Sequence, residues 1–213
     1  MIYNWVDEQA VININRSDNR LIKKYNLDPE KFYITYSGNI GLTQNMDLLI
    51  RVAEELKEYK KIHFVLIGDG AYKHEVEKII KERAIENITL LPFQPYEDIS
   101  HVFSLGNVGL VISKPGVGAN SVPSKTWSIL SAGRPVLANF DPNELKDIIN
   151  DNHCGIFTAA GDFKLLKESI IFMSDHPDLC EKYGENGRKY IEQNLTKKIG
   201  TSKLVNVVKI FEK

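Results

Sequence analysis

The sequence predicts a doubly wound, Rossmann-like α/β domain: a parallel sheet of about six strands with helices on both faces, followed by C-terminal helices. Two observations carry this. From Phe32 to Ser174, short apolar runs alternate with stretches of helical period. Several of the runs, Ile62–Ile67 and Val108–Ile112 among them, are nearly continuously apolar, as strands covered on both faces must be. Beyond Asp175 the alternation stops, and Asp178–Asn194 and Lys197–Phe211 read as two helices with no strand between them.

In order, residues 1–31 form an irregular lead-in. Trp5, Val6, Val11, Ile12 and Ile14 hold neither helical nor strand period, and Trp5 and Val6 are expected to stay exposed. Within it Ser17–Asn26 suits a short helix with Leu21, Ile22 and Tyr25 on one face, ended by Asp28-Pro29. Residues 32–175 carry the alternation. The predicted strands are Phe32–Ser37, Ile62–Ile67, Ile88–Leu91, Val108–Ile112, Pro135–Asn139 and Gly155–Thr158. The helices between and after them are Met46–Tyr59, Tyr72–Arg83, Tyr96–Phe103, Ser124–Ala132, Asn143–Asn150 and Phe163–Ser174. Residues 176–213 hold the last two helices, where Lys197, Lys198, Lys203, Lys209 and Lys213 read as a solvated basic face.

Composition narrows the function. The 213 residues are 43% hydrophobic and 26% charged with a formal net charge of −1, so no global basic field draws the chain to nucleic acid or anionic lipid. Any anion site must be local. Cys154 and Cys180 lack C-x-x-C spacing, and the five histidines make no i, i+4 pair, so reduced thiols and no metal are expected. No apolar run approaches the roughly 18 residues of a membrane span, and Met1–Trp5 lacks the regions of a signal peptide. A cytoplasmic chain with at most peripheral contact at the inner membrane face is expected.

With strands in the order 3-2-1-4-5-6, the order reverses between the first and fourth strands, and a ligand binds outside their carboxyl ends. Two loops face that crevice. The first, Gly38–Asn45, contains Gly38, Asn39, Gly41 and Gln44; the second, Lys114–Lys125, contains Gly116, Gly118, Asn120, Ser121 and Ser124 between two lysines. Glycine-rich backbone ahead of a helix is suited to phosphate; an ordinary strand-to-helix turn capped by Ser121 or Ser124 and closed by Gly133 is the plainer alternative. The exit of the third strand, Leu91–Tyr96, exposes Phe93 on the same edge, either to hold a flat base or as a proline-shaped turn with core aromatics.

At these residues the chain resembles the carboxy-terminal, donor-binding half of a GT-B glycosyltransferase of the retaining family 4. Asn4–Asp7 looks like the end of the interdomain connection. Tyr36–Gly41 with Gln44 is similar to the family's first-strand loop, and Val122–Lys125 followed by Ala132–Val136 is similar to its donor-site helix. Lys-Pro-Gly-Val-Gly before Pro-Ser-Lys is similar to amino-sugar transferases of bacterial capsule and O-antigen assembly, the fucosamine-type enzymes included. The resemblance implies a UDP-sugar donor, no metal cofactor, and an acceptor-binding amino-terminal half supplied by the same gene or by a separate subunit.

The family's charged positions carry over unevenly. Where many members have Arg and Lys in the first loop, this chain has Asn39 and Gln44; where many have two glutamates eight residues apart, it has Asn120 and Ser128. Asn and Ser can still hydrogen-bond hydroxyls but bring no charge. Lys125 first, and Lys114 second, are the candidates to stabilise the departing diphosphate. A non-catalytic nucleotide-sugar-binding module or half of a related epimerase would share these features. A nicotinamide-dependent oxidoreductase would share the fold, but the first loop lacks G-x-G-x-x-G.

Overall fold

In a computed structural model, which describes residues 3–211, six parallel strands form one sheet in the order β3-β2-β1-β4-β5-β6. They are β1 (Phe32–Asn39), β2 (Ile62–Asp69), β3 (Ile88–Leu91), β4 (Val108–Ile112), β5 (Val136–Phe140) and β6 (Gly155–Ala159). The helices are α1 (Arg20–Lys24), α2 (Met46–Glu55), α3 (Lys73–Glu82), α4 (Ile99–Ser104), α5 (Lys125–Ser131), α6 (Glu144–Asp151), α7 (Phe163–Asp175), α8 (Pro177–Asn194) and α9 (Lys197–Phe211). Lys213, counted in the basic end, lies outside the described residues, as does the Met1–Ile2 start of the segment read as lacking a leader.

The period of two along the strands sorts their side chains onto two faces. Phe32, Ile34 and Tyr36 of β1 join Phe64 and Leu66 of β2 beneath α2 and α7, with Leu49, Val52, Leu166 and Ile170 as the facing side chains. On the other face Tyr33, Val65 and Ile67 pack on α1 and α4 through Leu21, Ile22 and Val102. Val111, Val136 and Ala138 pack there on α5 and α6 through Trp127, Leu130 and Leu145. Both faces are covered, which is why the strands could be so uniformly apolar.

Two differences from the sequence reading bear on the site. β1 and β2 each run to a polar residue beyond the apolar run, because Gly38 and Asn39 pair in register with Gly68 and Asp69. The lead-in is ordered against the body. The Ser100 hydroxyl donates to Ala10 O and accepts from Ile12 N–H, and the Ser104 hydroxyl treats Ile12 O and Ile14 N–H likewise. Two hydroxyls on α4 thus satisfy backbone groups that a strand would otherwise pair.

The expected exposure of Trp5 and Val6 is corrected. Val6 is buried: its N–H donates to Leu195 O at 3.2 Å, and it bridges Thr196 in parallel. Trp5 is half-buried, its ring so close to Gly200 that a Cβ there would fall 2.3 Å from it. α8 folds back onto α5 and β6, while α9 leaves Leu204, Val205 and Val207 exposed.

Candidate active site at the β1–β4 crevice

The strand order reverses between β1 and β4, so their carboxyl ends open onto one crevice. At its rim Gly38 (φ +136°) lies beside Gly68 (φ +155°). A Cβ on Gly68 would fall 1.9 Å from the Gly38 carbonyl oxygen, and one on Gly38 would fall 2.9 Å from Lys125 Nζ. The two glycines let the strands stay together to their ends and leave space for a cation.

Lys125 fills that space. Its Nζ stands 3.8 Å from the centroid of the Tyr36 ring, and among the described residues no carboxylate pairs with it. Burial pulls its pKa down to about 7, while a ring face favours the cation by about 0.5–2 kcal/mol. Tyr36 is itself buried, its hydroxyl donating to Asn39 O at 2.5 Å; burial pushes its pKa up, so it stays neutral. Lys125 is therefore not the solvent-facing first-turn residue of an ordinary helix start.

Two cavities meet at Lys125. The larger, about 610 Å³, is bordered by Gly38, Asn39, Phe93, Tyr96, Ser124 and Ser128. Phe93 and Tyr96 are 58% and 68% exposed on its wall, so Phe93 belongs to the surface and not to the core. The smaller, about 210 Å³, is bordered by Thr43, Gln44, Ser113, Gly118, Ser121 and Phe140. Clefts of similar size occur elsewhere, for instance one of about 600 Å³ beside Arg134 and Arg188, so size does not pick out the site. Position at the carboxyl edge of the switch point does.

The crevice thus gathers Gly38, Asn39, Gln44, Phe93, Gly118, Ser121, Ser124, Lys125 and Ser128. Gly41 sits inside the first loop and donates its N–H to Gln44 Oε1 at 3.1 Å, so Gln44 closes its own loop. Asn120 borders a separate groove with Tyr3 and Glu144. Gly116 faces open space. Lys114 is held by its backbone, N–H to Thr43 O at 2.8 Å, and borders neither cavity.

One expectation needs correction. Two glycine amides of the second loop do not point free at an anion: Gly116 and Gly118 donate to Asp141 Oδ1 and Oδ2 at 2.9 and 2.7 Å. At the helix start Thr126 and Trp127 donate to Pro123 O and Ser124 O at 3.0 and 3.1 Å. Physically, a carboxylate just past β5 satisfies the two glycine donors, and the turn before α5 satisfies those of Thr126 and Trp127. Among the described residues bordering the two cavities, Lys125 supplies the cationic side chain.

Sequence reasoning missed Ser113 and Asp141, and named Tyr36 only as part of the first-strand loop, with no role at the site. Tyr36, inside an apolar strand, reads as core. Ser113 is buried with its hydroxyl unpartnered against the smaller cavity, and its place as the first residue after β4 was the available signal. Among the described residues no three His, Cys, Asp or Glu side chains converge as metal ligands, and no helix is long and apolar enough to cross a membrane.

The fold and the crevice at its switch point are those of an α/β transferase domain, and the family match is direct: the chain belongs to the glycosyl transferases group 1 family, whose model covers residues 17–190. WcaI of Escherichia coli (strain K12), which carries the name of a colanic acid biosynthesis glycosyl transferase, is 25% identical over 207 residues, 97% of this chain and 50% of its own length. The alpha-D-kanosaminyltransferase of Streptomyces kanamyceticus is 26% identical over 168 residues, 78% of this chain and 42% of its own. Among solved structures, Anabaena HepE in complex with UDP-glucose superposes with a TM-score of 0.84 at 14% identity, covering 98% of this chain and 56% of that one. The chain spans about half the length of the curated relatives it matches.

Proposed function

We propose that this chain is the donor-binding half of a retaining glycosyltransferase, holding a UDP-sugar for the assembly of a bacterial surface polysaccharide. The observation that carries this reading is the unpaired Lys125 ammonium at the switch point, set between a cavity of nucleotide size and a smaller one. Transfer breaks the bond between the sugar's C1 and the diphosphate oxygen and forms one to an acceptor hydroxyl oxygen, whose proton is released along with the UDP. Charge builds on the departing diphosphate, and a fixed cation there stabilises it without reorganising. Phe93 stacks on the base, Lys125 meets the diphosphate, and Gln44, Ser113 and Ser121 hydrogen-bond the sugar. An amino sugar of the fucosamine type is the narrowest form of the proposal.

The reading draws support from HepE, which shares this fold and was solved with UDP-glucose, and from the colanic acid assignment of WcaI. Since the matched relatives are about twice as long, we propose that an amino-terminal acceptor-binding half, in the same polypeptide or a separate subunit, completes the cleft and that α9 meets it. The uncharged Asn39, Gln44, Asn120 and Ser128 favour one further reading, a nucleotide-sugar-binding module without catalysis. Calorimetry tests the common ground: UDP binds with or without magnesium in the micromolar-to-millimolar range, around −4 to −8 kcal/mol, and NAD does not. NAD affinity equal to or above that of UDP overturns the proposal.

A further inference from the structure

The turn after β5 holds the glycine loop by several independent contacts. Both Asp141 oxygens accept loop amides, at 2.9 Å from Gly116 and 2.7 Å from Gly118. Asn143 Nδ2 donates to Gly118 O and Ser121 O, each at 2.9 Å. Gly118 lies so close to the Phe140 ring that a Cβ would fall 2.3 Å from its Cε1. Asp141 is nearly buried, and among the described residues no cation pairs with it. Nor is it needed to start α6, because Asn143 Oδ1 accepts the Leu145 N–H at 2.9 Å.

A carboxylate left without a cation and without a helix to cap, yet sharing both oxygens with one loop, is placed for that loop. We infer that Asp141 is a positioning residue of the donor site: it bridges Gly116 and Gly118 and so fixes the 113–121 loop that walls the smaller cavity and leads into Lys125. This rests on the reading of the crevice as a nucleotide-sugar site. Charge-assisted N–H bonds are roughly twice as strong as neutral ones, so the ionised carboxylate holds a glycine-rich segment in one conformation before any donor arrives, and the ordering cost is not charged to binding. The bonds from Gly116 and Gly118 also hold the Asp141 carboxyl below the usual carboxylate range, keeping it ionised at neutral pH.

The test compares the unaltered chain with Asp141→Asn, which keeps the shape but turns an N–H₂ toward one of the two amides. Amide exchange followed by NMR is expected to quicken at Gly116 and Gly118 by tenfold or more and to stay unchanged in β4 and β5. UDP affinity is expected to fall about tenfold, with melting near that of the unaltered chain. Unchanged exchange at the two glycines overturns the bridge, and quickened exchange with unchanged UDP affinity overturns the positioning role. Failure of the unaltered chain to bind UDP at all would instead sink the donor-site reading, and exchange alone would then decide the bridge. Asp141→Ser, which keeps one short acceptor but cannot bridge both amides, should shift exchange and affinity the same way, and gives the answer should Asp141→Asn not fold; no shift there overturns the inference.

Discussion

Lys125 Nζ stands 3.8 Å above the Tyr36 ring, over the gap left by Gly38. This pairing couples the last apolar residue of β1 to the first residue of α5 across the switch point, and several expectations follow from it.

If Lys125 meets the diphosphate, Lys125→Ala weakens UDP by about 1.5–3 kcal/mol, the scale of a hydrogen bond to a charged group. Little stability is lost with it, since no carboxylate partner is left behind. Calorimetry and thermal melting of the same preparation separate the two. Full UDP affinity in the variant removes Lys125 from the site.

The pKa of about 7 at Lys125 makes both binding and stability pH-dependent. The unfolded side chain titrates near 10.4, so between about pH 7 and 10 the unfolded chain binds a proton that the folded one lacks. Stability from this group therefore rises with pH across that window. Donor binding runs the other way: the diphosphate requires the ammonium, so UDP affinity declines as pH climbs through 7, and binding at pH 8 takes up a proton. Titrations in buffers of different ionisation enthalpy read that uptake, which Lys125→Met should abolish.

At Gly38 a side chain meets two penalties, a backbone at φ +136° and Lys125 Nζ 2.9 Å from the new Cβ. Gly38→Ala is expected to destabilise the chain by about 1–3 kcal/mol, the cost of a strained backbone conformation, and to weaken UDP by moving the ammonium. Melting unchanged within error would show that the strand end relaxes freely.

Phe93 is 58% exposed on the wall of the larger cavity. Replacing it with Ala removes a stacking surface and little core, so UDP affinity should drop by about 0.5–1.5 kcal/mol with melting unchanged. A large loss of stability would assign Phe93 to the core instead.

Much of this architecture was legible because it rests on local pattern. The near-continuous apolar runs from Phe32 to Thr158 announce strands buried on both faces, and the reversal between β1 and β4 follows from the order such units adopt. Lys125 and Gly38 were legible as members of the crevice but not as neighbours, because their contact depends on how α5 docks. Asp141 was hidden for a related reason. It lies 25 and 23 residues from the glycines it bridges, and nothing in local periodicity links a turn after one strand to the loop after another. Val6 looked exposed because its burial is created by Leu195 and Thr196, near the far end of the chain.

Assays with candidate UDP-sugars and lipid-linked acceptors test whether a partner half is needed. Closing a second domain over the donor positions the acceptor and excludes water, so this chain is expected to bind donor without sustained transfer. Turnover at the roughly 1–1000 per second typical of enzymes would place the whole catalytic apparatus within these residues.

The most direct test of the central claim is diffraction from crystals of this chain grown with UDP. The diphosphate is expected within hydrogen-bonding distance of Lys125 Nζ at the Gly38 rim, with the uracil against Phe93. Nucleotide bound instead at the opposite end of the sheet, for example in the cleft of about 430 Å³ bordered by Lys31, His63 and Arg83, with the β1–β4 crevice unoccupied, would contradict it.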